Sequence, residues 1–464
     1  MDVLLIRPFE RENINVRLPE SLYKVQGIFP PLGLGYIASV LERRNISVEI
    51  IDIPALNLTK TEVQNILFRK KPLLVGISCM SSTLNNAFEI ARLAKKSGAY
   101  VALGGPHLAA YPEETVSNDN VDFGIVGEGE FVFLELIEAL KRKRKFNSIR
   151  GLVYKKNNNI KVNSYRIVEK LDEIPFPARH LLPIKKYDCI ITEKSFTTMI
   201  TSRGCPYECG FCFKQPSDKK YRLRSVENII AEMQSCIEKF NVKEIMFYDD
   251  SFTFNRNFVI KLCNEIIKKK ITIKWEAPTR VNTVNDELLQ LMKKAGCIRL
   301  RYGVESGNQR ILNLMKKNIT LDQVKKAFEL TKKYKIETFA YFMIGYATET
   351  KETIQQTINL AKRLNPDWVM FTATTPLPCT NLFELAIKHN LVSKNYWKYY
   401  TLGKTHKRIP YFVKDTDELV RKAYRKFYVR PGFILNKLFS IRSLDTLKKY
   451  IRGARGIVLF NMHS

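Results

Sequence analysis

The chain has 464 residues, 45% of them hydrophobic, and its 76 Lys and Arg outnumber 46 Asp and Glu to give a formal net charge of +30. That length and apolar content exclude a disordered chain and predict two or three domains with their own cores. The charge favours nucleic acid, anionic lipid surfaces or anionic ligands as partners, and no run of eighteen apolar residues predicts a membrane span.

The opening residues MDVLLIRPFE form an apolar run too short for a signal peptide. Cys79, Cys189, Cys236, Cys263, Cys297 and Cys379 are scattered singly. That usage predicts a reducing, cytoplasmic setting.

Residues 2–6 read as a buried strand, followed by a helix over 33–44 and strands at 48–53, 73–77, 100–103 and 123–126, with a helix over 86–96. Strand–helix alternation at this spacing predicts a doubly wound parallel α/β domain over residues 1–150. Ligands of such sheets bind at the carboxyl ends of the strands. There the sequence places PPLGLGY (Pro30 to Tyr36), SCMSST (Ser78 to Thr83), GGPH (Gly104 to His107) and GEGE (Gly127 to Glu130). Small residues in these segments let backbone approach a ligand.

Residues 151–195 read as a hairpin around Asn157 to Asn159 and a proline-punctuated linker, LDEIPFPARHLLP. From 196 to 390 strand and helix alternate again. Strands are predicted at 197–201, 244–248, 271–275, 298–303, 337–344 and 367–373, with helices over 226–240, 257–269, 286–294, 321–333 and 351–364. Six such units make a partial (β/α)6 barrel, whose chemistry belongs at the carboxyl ends of its strands.

The first of those ends carries TSRGCPYECGFCF, in which Cys205, Cys209 and Cys212 form a C-x3-C-x2-C pattern. Three thiolates this close suit one iron–sulfur centre or zinc. A closed zinc site wants four ligands, and neither a fourth Cys nor a His lies nearby. A [4Fe–4S] cluster with three protein ligands leaves one iron open for a small molecule. This spacing, with Phe211 before the last Cys, resembles the signature of the radical S-adenosylmethionine (SAM) enzymes, in which the open iron chelates SAM.

The later strand ends extend the resemblance. Asp249 and Asp250 (YDDSFT) are implied to accept hydrogen bonds from the SAM ammonium, unless they only cap the helix near Asn255. Arg280 and Asn282 (PTRVNT) would meet the SAM carboxylate or the substrate. Glu305 and Ser306 in GVESG, and Gly345 in MIGYATE, match segments that contact ribose, methionine and adenine, although Ala347 stands where Pro is usual. In TPLPCT, Cys379 replaces the commoner Gly; it is either an inert thiol or a donor of hydrogen at the barrel mouth.

The order of the four N-terminal segments resembles the Rossmann-like cobalamin-binding domain that precedes this core in one large subfamily. The resemblance implies cobalamin contacts from Ser78, Ser81, Gly104, Gly105, Gly127, Glu128 and Gly129. The D-x-H-x-x-G stretch that supplies a cobalt-binding His elsewhere is absent, because Asp52-Ile53-Pro54 runs into Ala55. His107, the sole His of that domain, reads as a packing residue or a cobalt ligand.

Residues 391–464 hold 17 Lys and Arg against 4 Asp and Glu. Here Lys422 to Phe439 interleave cations with aromatics, and 443–452 continue as a basic amphipathic helix. This predicts a helical cap docked on the barrel, with adsorption to anionic headgroups as the sharper alternative.

By resemblance, the reduced cluster cleaves SAM to a 5′-deoxyadenosyl radical, and methylcobalamin supplies a methyl group to the carbon it activates. The lead expectation is therefore radical methylation of an unactivated carbon in a hydrophobic or lipid-like substrate, with ferredoxin or flavodoxin as electron donor and no specific nucleic acid. Alternatives are a cyclase or oxidative ring former without methyl transfer, a tRNA-modifying methylthiotransferase, and a bare electron carrier. The methylthiotransferase would need three N-terminal Cys where only Cys79 occurs.

Overall fold

The structure, a computed structural model, describes residues 1–9, 27–157, 159–192, 195–405, 408–439, 441, 447–448 and 450–456. The first sheet contains β1 (Val3–Arg7), β2 (Val48–Asp52), β3 (Leu74–Ser78), β4 (Tyr100–Gly104), β5 (Phe123–Ile125), β6 (Leu152–Lys156) and β7 (Asn159–Val162) in the order β2-β1-β3-β4-β5-β6-β7. From β2 to β5 neighbouring strands are parallel, while β6 and β7 join antiparallel. The expected hairpin thus forms and extends the first sheet at its edge. Val3, Leu5 and Leu74 pack on one face; Leu4, Ile6 and Val75 pack on the other. Burial on both faces is why these short strands read as continuous apolar runs.

The order reverses between β1 and β3, which opens a crevice above the carboxyl ends of the strands. Asp52, the last residue of β2, is fully buried. It accepts from the Tyr187 hydroxyl at 2.9 Å and the Ala55 N–H at 3.2 Å, and pairs with Arg7 at 3.3 Å. The sequence departure after β2 is therefore filled by a local anchor.

The second sheet is all parallel: β8 (Phe196–Met199), β11 (Glu244–Phe247), β12 (Lys274–Thr279), β13 (Cys297–Glu305), β14 (Glu337–Ile344) and β15 (Trp368–Ala373), paired in chain order. Between them, β9 (Ser202–Arg203) and β10 (Arg222–Leu223) form a small antiparallel ribbon. The third barrel strand begins three residues later than 271 and runs on to Thr279. Its register is set where Trp275 pairs with Cys297 and the indole N–H donates to the Ala295 carbonyl at 2.7 Å. Ser225, Asn255, Asn285, Thr320, Thr350 and Thr380 each cap the helix that follows, a side-chain oxygen accepting a backbone N–H. These caps end each strand-to-helix turn sharply, which leaves the strand ends open for ligands.

The C-terminal region bridges both bodies. Trp397, Tyr400 and Ile409 join a core cluster of the first domain, and Val420, Ala423 and Phe427 join that of the barrel. The helix Thr416–Tyr428 covers the open edge of the barrel: the Phe371 N–H donates to the Tyr424 hydroxyl at 3.2 Å and the Val369 N–H to the Tyr428 hydroxyl at 3.0 Å. An open barrel leaves exactly such unpaired edge groups, so the aromatic stripe of the tail serves as their cap. The amphipathic helix expected over 443–452 falls partly on 443–446 and 449, which lie outside the described residues.

Candidate active site

Cys205, Cys209 and Cys212 line a cavity of about 290 Å³ at the carboxyl ends of the barrel strands, together with Arg280, Glu305 and Lys317. The loop that carries them turns at Gly204, whose φ of +90° and closeness to the Lys220 carbonyl both exclude a side chain. Cys205 N–H donates to the Asp218 carbonyl at 3.0 Å, Gly210 N–H to Met315 at 2.9 Å, and Lys214 Nζ to the Cys205 carbonyl at 2.8 Å. The hydrogen bond from the Cys212 thiol, with the Lys317 and Arg280 charges, draws the Cys209 thiol down to about 6 against the opposing effect of burial. The same bond pushes Cys212 upward.

A thiolate set needs nearby cations, and this wall supplies them. Among the described residues no three His, Cys, Asp or Glu gather closely enough to hold a single metal ion. The sulfurs instead face a volume with room for a polynuclear group, so the donor set and the space fit a cluster better than one ion.

Two expected SAM residues stay on this wall with defined partners. Glu305, at φ +68° on a bulge between β13 and β14, accepts from Lys317 Nζ at 2.7 Å, and Gly303 leaves the space for both groups. Arg280 stacks on the Tyr207 ring at 3.8 Å, and its Nη1 donates to Cys209 Sγ at 3.5 Å.

The paired carboxylates separate. Asp249 turns inward, accepting from Thr201 N–H at 3.1 Å, Thr201 Oγ1 at 2.6 Å and Ser202 Oγ at 2.5 Å. It fastens the exit of the first barrel strand and is not among the residues that line either cavity. Nor does it cap a helix, since Asn255 does so. Asp250 faces the cavity, and burial with the Asp218 and Asp249 charges raises its carboxyl above the usual range.

A second cavity, of about 420 Å³, lies between the first sheet and the barrel. Ser78, Gly104, Gly105, Gly127, Glu128 and Gly129 line it, with Tyr248 and Arg203 on the barrel side. A Cβ on Gly33 would meet nothing within 4 Å, and one on Gly104 only Ile125 at 3.7 Å. Bare backbone thus borders this space, as a broad ligand laid on the strand ends requires, and the residues fit a corrinoid.

Ser81 stands apart, because its hydroxyl bonds His107 Nδ1 at 2.9 Å. The other nitrogen of His107 meets Thr401 Oγ1 at 3.0 Å. Burial lowers this imidazole to about 4, so it is a neutral packing residue with both nitrogens engaged. Among the described residues, no histidine lines the cavity.

Ser306, Gly345 and Cys379 are not among the residues that line either cavity. Ser306 is fully buried against Thr357 at 3.3 Å. Gly345, at φ +85°, packs on Thr416. Cys379 occupies a left-handed turn at φ +57°, which explains the commoner glycine there.

Sequence reasoning missed the bracket between the two cavities. Arg203, two residues before the first ligand Cys, pairs with Glu128 at 3.0 Å and Glu130 at 2.5 Å, and Arg222 pairs with Glu128 at 2.8 Å. The GEGE segment therefore grips the cysteine loop. Asp218 and Asp250 line both cavities, so the two spaces meet at these carboxylates.

Residues 199–361 match the radical SAM superfamily and residues 22–137 the B12 binding domain. An "uncharacterized methyltransferase" of Pyrococcus horikoshii is 36% identical over 430 residues, covering 91% of this chain and 93% of the relative. The chain belongs to the cobalamin-binding radical SAM family. It is a methyltransferase-like radical SAM enzyme, and the family's cofactors are a [4Fe–4S] cluster, SAM and cobalamin.

An anaerobic magnesium-protoporphyrin IX monomethyl ester cyclase of Rubrivivax gelatinosus is 28% identical over 423 residues, covering 89% of this chain and 76% of the relative. The fold is shared with the radical SAM methyltransferase TsrM of Kitasatospora setae, solved with cobalamin and a [4Fe–4S] cluster, at TM-score 0.72 and 17% identity over 93% of this chain and 90% of that one.

Proposed function

We propose that this family member methylates an unactivated carbon of a hydrophobic or lipid-like small molecule. The observation that carries the reading is the junction at Asp218 and Asp250, where a molecule is within reach of both cavities. Bound in their cavities, the cluster with SAM supplies a carbon-centred radical and cobalamin supplies the methyl group. The chain's own part is to hold, orient and exclude water.

In this reading Cys205, Cys209 and Cys212 ligate the cluster, while Asp250, Arg280 and Glu305 line the SAM side. Ser78, Gly104, Gly105, Gly127, Glu128 and Gly129 border the corrinoid side. Asp250, at the junction of the two cavities, lies beside the place the substrate would take.

The test is anaerobic reconstitution with methyl-deuterated SAM and a lipid extract, followed by product mass. A product heavier by one labelled methyl group supports methyl transfer. A product lighter by hydrogen, with no label, supports ring formation instead, the second reading favoured by the cyclase relative.

Contact with an anionic membrane surface is the proposed role of the tail. Ile434, Leu435, Leu438 and Phe439 are 45%, 52%, 56% and 83% exposed on the helix Pro431–Phe439. Of the cationic tail, Lys426 and Arg430 are instead bonded to the barrel, to Gln355 at 2.6 Å and Asn365 at 2.9 Å. Arg421, Lys422 and Arg425 make no ion pair among the described residues, and each such cation near an anionic leaflet contributes about 1 kcal/mol. Among the described residues no helix is long and apolar enough to cross a membrane.

Sedimentation with anionic and neutral vesicles at low and high salt tests this. Indifference to anionic vesicles at low salt removes it. A cytoplasmic setting and an acidic electron carrier such as ferredoxin or flavodoxin complete the proposal, consistent with the net charge of +30.

A further inference from the structure

Arg280 is fixed by groups other than the thiols. Its guanidinium stacks on Tyr207 at 3.8 Å, its Nε donates to Asn282 Oδ1 at 3.3 Å, and its Nη2 donates to the Lys317 carbonyl. Only 6% of the residue is exposed. Held in this way, Nη1 points at Cys209 Sγ, 3.5 Å away. A guanidinium keeps its charge and carries its donors in a rigid fork, so this contact does not depend on a mobile side chain.

A second donor lies beside the cysteine loop. Tyr346 is fully buried, and among the described residues its hydroxyl has no hydrogen-bond partner. That hydroxyl lies 3.5 Å from the place a Cβ on Gly210 would take, beside Cys209. Buried hydroxyls are rarely left unbonded, because the lost hydration is costly. The neighbouring residue Cys209 would carry a cluster sulfur, which can accept from a hydroxyl placed here.

We propose that Arg280 and Tyr346 are positioning residues that donate to the Cys209 side of the bound cluster and raise its reduction potential. The inference rests on the cluster reading of the three cysteines. Reduction adds negative charge to the cluster, so a fixed cation and a hydroxyl donor stabilise the reduced form more than the oxidised one. Low dielectric around a buried guanidinium strengthens that preference. The role differs from holding the SAM carboxylate, since it acts before SAM is present.

The experiment compares the parent with Arg280→Gln, Arg280→Lys and Tyr346→Phe after anaerobic reconstitution. Iron and sulfide per chain are measured first, and then the midpoint potential by electron paramagnetic resonance in the absence of SAM. Arg280→Gln is expected to shift the reduction equilibrium about tenfold toward the oxidised cluster, which is about 59 mV for a one-electron couple. Arg280→Lys should recover part of the shift, and Tyr346→Phe should move the midpoint in the same direction by less.

Full iron content with unchanged midpoints in the variants overturns the inference alone. A parent that binds no iron overturns the cluster reading, and this inference with it. Should Arg280→Gln fail to take up iron, Tyr346→Phe decides, because it removes one hydroxyl and keeps the ring.

Discussion

Replacing Arg203 by Met tests whether the bracket between the two cavities is energetically real. The Arg203 side chain is 17% exposed, and both of its carboxylate partners are 6% exposed. Glu128 would keep Arg222 at 2.8 Å and the Val168 N–H at 2.5 Å. Glu130 would keep nothing, since its second oxygen already lacks a partner among the described residues. One buried carboxylate is therefore stranded.

Breaking a buried pair costs about 3–5 kcal/mol. The partial exposure of Arg203 lets water reach the site, which places the expected loss near the lower end, about 3 kcal/mol. Loss of the Arg203 contact with the Tyr36 ring, at 5.5 Å, adds about 0.5 kcal/mol.

Urea unfolding of the cofactor-free protein provides the measurement, with a lower midpoint expected at an unchanged slope. Adding Glu130→Gln should return part of the loss, because a neutral amide is cheaper to leave buried. That gives a coupling energy of about 1–3 kcal/mol in a double-mutant cycle. A loss below about 0.5 kcal/mol for Arg203→Met, in the range of ordinary surface changes, would refute the reasoning. So would strict additivity of the two changes.

Alanine at Cys205, Cys209 or Cys212 should lower iron uptake and abolish SAM cleavage, and full activity in any one of them would sink the shared site. Glu349 accepts from the Gly345 and Tyr346 N–H groups at 2.8 and 2.9 Å, and burial raises its carboxyl from 4.5 to about 7. The folded state then binds the proton more tightly than the unfolded state, so stability should fall as pH rises from about 4.5 to about 7, by up to about 3 kcal/mol. Glu349→Gln should flatten that slope in urea midpoints taken across the range. Tyr428 accepts from the Val369 N–H at 3.0 Å and donates to its carbonyl at 2.9 Å. Tyr428→Phe should cost about 1–2 kcal/mol, with faster hydrogen exchange at the Val369 amide, and an unchanged exchange rate would show that the edge needs no cap.

By itself the sequence determined the two α/β bodies and the cysteine loop. Apolar runs separated by capped helices specify parallel sheets through periods of 2 and 3.6 residues, which are local properties of the chain. Cys205, Cys209 and Cys212 could be read the same way, because metal ligands on one loop must be close in sequence. The Ser- and Gly-rich segments after β3, β4 and β5 were legible because strand ends are where such sheets bind ligands.

What only the tertiary structure decided was the aim of individual side chains. YDDS reads as two equivalent carboxylates, yet Asp249 points inward to the Thr201 and Ser202 donors while Asp250 faces both cavities. Ser81 and His107 are far apart in the chain and satisfy each other, with Thr401 of the tail completing the set. Arg203 found Glu128 and Glu130 some seventy residues earlier, a pairing that no local pattern encodes. Local spacing fixes which face of an element a residue occupies, but partners brought from distant segments determine whether a polar group meets a ligand or another part of the protein.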